Sequence, residues 1–179
     1  AGATLCALVL LVAPAQRTFS LARDLRSDTR QQLAEWMKEN IPAGATVLMD
    51  WRPYCPQLSR ARFHIEHIQR ARIIPELDPS LLRNSGADYL ILSSLFYGRY
   101  FNQPESNPML RQRIREVFES VPVVSQYQAP SGSYGFHNPV LTLFSLRKDD
   151  FARLDQERAM KRRGELDATS NEMRARPRW

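Results

Sequence analysis

Two short apolar runs, Ala45 to Asp50 (ATVLMD) and Asp88 to Ser93 (DYLILS), are each bounded by turn signals and each follow a segment of helical character. A run of this length with no polar alternation reads as a strand buried on both faces, the pattern of a parallel sheet covered by helices. Before the first run, Asp28 to Pro42 places Leu33, Trp36, Met37 and Ile41 on one helical stripe. Asp28 and Gln31 have capping-box spacing there, and Pro42 and Gly44 stop the helix. Before the second run, Asp78 to Asn84 reads as a short helix with Asp78 as its cap and Pro79 in its first position, closed by Gly86. This alternation predicts right-handed β-α-β crossovers.

Trp51 to Ser59 (WRPYCPQLS) has no period and reads as the loop leaving the first strand, whereas Arg60 to Glu76 fits a helix or a loop equally. Ser94 to Asn107 reads as a long aromatic-rich loop. Pro108 to Ser120 reads as a helix with Leu110, Ile114, Val117 and Phe118 inward. Val121 to Gln128 and Val140 to Leu146 then form two strands around APSGSYGFHNP, an antiparallel hairpin at one sheet edge. The expected fold is therefore α/β, a small three-layer-like domain with a mixed sheet over residues 17–147. Residues 148–179 are dominated by charges without an apolar stripe, which predicts a solvated helix or a disordered tail that joins no core. With 179 residues, 43% hydrophobic and 25% charged, the chain suits one compact domain and neither overall disorder nor a multi-span membrane protein.

Residues 1–16 begin AGATLCALVLLVAPA, an uncharged stretch shorter than the about 20 residues that a spanning helix needs. It reads as the end of a transmembrane helix whose upstream part is missing, or as a signal-type segment, since Ala13, Pro14 and Ala15 have the small-x-small form of a cleavage site. A buried helix of a soluble protein is the third possibility. Both membrane-linked readings put the rest of the chain outside the cytoplasm. Arg17, Arg23, Arg26 and Arg30 oppose that placement by the positive-inside rule, although a large folded domain is translocated regardless of such charges. The formal charge of +6 comes from scattered arginines with acidic residues interleaved, and no basic-aromatic stacking pattern accompanies it. Nucleic acid is therefore not an expected partner, while an anionic membrane surface suits the charge. Cys6 and Cys55 make no disulfide framework and read as free thiols without a chemical signal.

In open α/β sheets ligands collect at the carboxyl ends of the strands. Asp50 and Arg52 leave the first strand, and Ser93, Ser94, Tyr97 and Arg99 leave the second, so the two groups face one crevice if the strands are neighbours. Arginine and tyrosine together suit a phosphate or a sugar hydroxyl network. The structural alternative is that Asp50 pairs with an arginine to pin loops. His64 and His67, three apart around Glu66, would share a helical face, but no third ligand lies nearby and no metal site is expected. His137 and Asn138 precede Pro139 at the close of the hairpin loop, where Asn138 suits a turn. There is no GxSxG elbow, no GxxxxGK and no GxGxxG, so triad and nucleotide chemistry are not expected, nor is any cofactor.

The order DTRQQLAEWMKENIPAGATVLMD, then GADYLILSS with YGRY, then GSYGFHNPVLTLFSL resembles the extracytoplasmic C-terminal domain of multi-spanning glycosyltransferases of the GT-C class. The class includes protein mannosyltransferases and lipid-A aminoarabinose transferases, which use polyprenyl-phosphate sugars. The resemblance covers about Asp28 to Leu146. It implies catalysis by acidic residues among transmembrane helices outside this chain, so no catalytic residue is carried over. It further implies a domain on the extracytoplasmic side of the cell membrane that caps the membrane cavity and helps seat the polyprenyl-phosphate-linked sugar or the acceptor. Tyr97, Arg99 and the loop from Gly132 to Asn138 are the positions matched to that role. A membrane-anchored or secreted carbohydrate- or peptide-binding module is the alternative.

Overall fold

The carboxylate of Asp28 accepts the Arg30 amide at 2.8 Å and so caps helix α1, Thr29–Asn40, satisfying a donor that the first turn would otherwise leave unpaired. Leu33, Met37 and Ile41, four apart, lie on the buried face of α1 and are 0%, 0% and 4% exposed. Each buried side chain of this size stabilises the fold by about 1.5–3 kcal/mol. Gly44, at φ +85, turns the chain into strand β1, Thr46–Met49; the left-handed backbone explains a glycine there. The computed structural model describes residues 12, 14–19, 22, 28–50, 52–68, 76–103, 105, 107–128 and 138–175, excepting the side chains of Arg52 and of residues beyond Arg163.

A 3-10 turn, Arg52–Tyr54, leads to strand β2, His64–His67, and helix α2, Pro79–Arg83, precedes strand β3, Tyr89–Ser93. Helix α3, Ser94–Asn102, and helix α4, Pro108–Ser120, follow. Strands β4, Val123–Tyr127, and β5, Leu141–Ser145, come next, then helix α5, Lys148–Ala175. The sheet order is β2-β1-β3-β5-β4. Strands β1, β2 and β3 are mutually parallel, whereas β5 runs antiparallel to both β3 and β4. This is the expected mixed sheet, with the antiparallel hairpin at one edge. One apolar cluster joins α1 to Val47, Met49, Ile91, Leu141 and Leu143. The other joins Leu90, Leu92 and Phe144 to α2, α3 and α4. Helices thus cover both faces, because successive strand residues point to opposite sides.

Three expectations are corrected. Ser94 to Asn102 is helix α3 and not a loop, because the Ser93 hydroxyl accepts the Leu95 amide at 3.3 Å as a cap and Phe96 is buried beneath it. The ambiguous stretch after Arg60 contains strand β2, which lies at the sheet edge. Its side chains stay largely outside the core, so no apolar pattern announced it; residues 69–75 lie outside the described residues. The charged tail is helical, and its start does join the core: Phe151 is 3% exposed and lies under the Arg83 guanidinium at 4.3 Å. Residues 1–11, which carry most of the apolar N-terminal segment, lie outside the described residues. Among the described residues, no helix is long and apolar enough to cross a membrane.

Candidate functional site

Strand β1 lies beside β3, with Val47 opposite Tyr89 and Met49 opposite Ile91, while β2 flanks β1 on the other side. The chain therefore reverses its direction of travel across the sheet between β1 and β3, the place where open α/β sheets form a crevice at their carboxyl ends. Asp50 ends β1 there, and Ser93 ends β3. Of the two groups, Asp50 and Ser93 are brought together.

Asp50 is 1% exposed. Its Oδ2 accepts the Ser93 amide at 2.7 Å, and its Oδ1 accepts the Cys55 thiol at 2.8 Å. Its partners are thus a backbone amide and a thiol, which replaces the expected arginine. Neither partner brings a charge, so desolvation dominates and pushes the Asp50 pKa up to about 7, against the weaker pull of its two hydrogen bonds. Burial likewise raises the Cys55 thiol well above its ordinary range, helped by the neighbouring carboxyl. A thiol so held is a poor nucleophile at neutral pH. Cys55, which had been given no chemical role, is brought to Asp50 by the 3-10 turn. No motif signals that contact.

The other residues divide between the crevice and its surroundings. Ser94 is bound twice to Val140, its amide donating to the Val140 carbonyl at 2.8 Å and its Oγ accepting the Val140 amide at 2.9 Å. Asn138 is 2% exposed and accepts the Thr29 amide at 3.2 Å. Beside it the Thr29 hydroxyl donates to the Pro139 carbonyl at 2.7 Å, tying the start of α1 to the start of β5. Tyr97 is half-buried on α3 and edge-on to Phe118 with ring centroids 5.4 Å apart. Burial raises its phenol, opposed by a hydrogen bond with Thr142, and the Asp50 charge adds to the rise. Tyr97 therefore belongs to the surroundings of Asp50. Arg99 does not: it is exposed and stacked on Tyr100, with Nη2 donating to the Tyr100 hydroxyl at 2.6 Å. Arg52 opens the 3-10 turn, and its side chain lies outside the described part, as does the whole of His137 with the loop from Gly132.

His64 and His67 lie on β2, where a spacing of three puts them on opposite faces, so the shared face assumed for a helix is lost. The ring of His67 instead donates from Nδ1 to the Asp50 carbonyl at 3.2 Å. Among the described residues there is no group of three or more histidine, cysteine or acidic side chains able to hold a metal. Beside the crevice, a groove of about 470 Å³ runs between α1 and the 53–57 segment, lined by Asp28, Arg30, Gln31, Pro53, Cys55 and Gln57. Arg30 closes its rim by pairing with Asp28 at 2.8 Å and donating to the Pro53 carbonyl at 3.3 Å. No family model, no curated protein and no solved structure matches this chain.

Proposed function

We propose that this chain is the extracytoplasmic C-terminal domain of an integral-membrane glycosyltransferase that draws on a polyprenyl-phosphate sugar. The domain itself is non-catalytic and caps the membrane active site. The observation that carries this is the fate of the crevice's polar groups. Asp50, Ser93, Ser94 and Asn138 each spend their side chains or amides on bonds that join strand ends and loops. A general acid or base must reach the proton that it moves, and Asp50 is sealed from solvent. Such a crevice is a lock between β1, β3, α1 and β5, as suits a rigid cap whose chemistry is done by acidic residues elsewhere in the parent enzyme.

Sequencing the source DNA on the 5′ side of the Ala1 codon tests the assignment. That DNA is expected to encode several apolar spans, with an acidic residue early in the first external loop. A nearby start codon followed by a single basic-flanked apolar segment would sink the transferase and leave an exported binding module, with the groove along α1 as its site. In either case the isolated chain should transfer no sugar from a polyprenyl-phosphate donor to an acceptor.

A further inference from the structure

Gln31, Ala34, Glu35 and Lys38 of α1 share one face, since side chains three and four apart are neighbours on a helix. That face is turned away from the sheet: Gln31, Glu35 and Lys38 are exposed and Ala34 is part-buried. Opposite it runs the segment from Gln57 to Phe63, and a pocket of about 380 Å³ lies between the two. The small side chain of Ala34 leaves room there, and Leu58 and the buried Phe63 supply apolar walls. A volume of that size holds one small molecule.

Arg62 reaches this pocket from a fixed backbone. Its amide and that of Phe63 both donate to the Ser59 carbonyl at 3.0 Å, and its carbonyl accepts the Gly44 amide at 2.7 Å. The part-buried guanidinium donates from Nη2 to the Ile41 carbonyl at 3.0 Å and stands 5.6 Å from the centre of the Phe63 ring. Its Nε is buried without a hydrogen-bond partner. Arg30 and Arg113, also part-buried, are each paired with carboxylates, Arg30 with Asp28 at 2.8 Å and Arg113 with Asp78 at 3.0 Å and Glu116 at 2.7 Å. Among the described residues no carboxylate pairs with Arg62, nor with Lys38 in the same pocket. The acid that lines the pocket, Glu35, accepts the Gln31 side-chain amide at 2.9 Å instead. The carbonyl end of α1 adds about half a negative charge nearby, which still leaves two cations in excess over one carboxylate. A part-buried cation without a counter-charge is costly, and an anion that joins it removes the cost.

We propose that this pocket binds a small organic anion, a carboxylate or phosphate borne on a short apolar chain. The chain lies against Ala34, Leu58 and Phe63, and the anionic head sits between Lys38 and Arg62, whose guanidinium fork matches either head group. The site is independent of the transferase assignment, since none of these residues takes part in the Asp50 crevice.

Octanoate and octyl phosphate are titrated into the nitrogen-15-labelled full chain, following the backbone amides and the Arg62 Nε resonance. Octanol and inorganic phosphate probe the tail and the head alone. Either amphiphile is expected to shift Arg62 Nε and the amides from Leu58 to Phe63, and to bind about tenfold more tightly than octanol or inorganic phosphate. Binding of one amphiphile and not the other supports the site and names its head group. Arg62→Gln and Lys38→Gln should each weaken binding by about tenfold, the usual scale for a charged hydrogen bond, and Glu35→Gln should strengthen it. If Arg62→Gln fails to fold, Lys38→Gln and Glu35→Gln decide, because both positions are exposed. Octanol or inorganic phosphate binding as tightly as the amphiphiles overturns the site. So does an affinity that Lys38→Gln and Glu35→Gln leave unmoved, a set of shifts confined to residues away from the pocket, or no saturable binding at all.

Discussion

Burying Asp50 beneath the ends of β1 and β3 gives one side chain a measurable hold on how stability varies with pH. Its pKa stands at about 7 in the folded chain against 3.8 for the free group, so between those values the folded state binds more protons than the unfolded one. Stability from this group is therefore fully present below pH 3.8 and is lost as pH rises through 7. The difference amounts to about 4 kcal/mol as an upper bound, at about 1.36 kcal/mol for each pKa unit. Asp50→Asn keeps the shape, with the amide oxygen free to accept the Ser93 amide and the amide nitrogen to face the Cys55 sulfur. Urea titrations across pH 4 to 8 are expected to show wild type losing stability relative to Asp50→Asn as pH rises, most steeply between about pH 5 and 6 and levelling off above pH 7. Parallel profiles for the two proteins would show that Asp50 is ionised throughout. At this scale the meeting of Asp50 and Ser93 was legible only on the condition that the two apolar runs they end be neighbours, and the Ser93 amide as the partner of Asp50, in place of an arginine, was not legible. Cys55 was not legible, because its contact depends on the path of a turn containing Pro53 and Pro56.

Elements were legible where burial is one-sided or complete, and obscure where tertiary contacts override local pattern. Helix α1 and strands β1, β3 and β5 each present an uninterrupted apolar face to the core, and periodicity reads that directly. Helix α3 was obscured by Gly98 and by aromatic residues on several sides. Its signal lay in pairs four apart: Phe96 with Tyr100 and Tyr97 with Phe101 stack edge-on at 6.1 and 6.2 Å. In α5 a single anchor was lost among charges. Phe151 is buried in the cluster with Leu82 and Leu146, and Arg83 both covers its ring and pairs with Asp155 at 3.2 Å. Phe151→Ala is expected to cost about 3–5 kcal/mol, the range for deleting a buried aromatic side chain. Cutting the chain after Arg163 should leave the denaturation midpoint nearly unchanged, since the sequence beyond it has no apolar stripe to bury. A truncation as damaging as Phe151→Ala would mean that the far half of α5 packs on the domain.

At the scale of the whole molecule the sheet has two edges, and they are protected unequally. Strand β2 presents His64, Glu66 and His67 outward, and polar or charged side chains on an edge discourage pairing with another chain. Strand β4 presents Val123 and Val124, 51% and 39% exposed. Its defences are Pro122 before it and a register shift between Val123 and Ser125, which bends the strand. Self-association of the isolated domain should therefore run through β4. Val124→Lys is expected to raise the concentration at which the refolding domain scatters light, while leaving stability within about 0.5 kcal/mol, as is usual for a surface substitution. His64→Lys, the matching change on the opposite edge, should leave the scattering threshold where it was. If both substitutions raise it equally, the gain comes from net charge alone, and β4 has no special part in association.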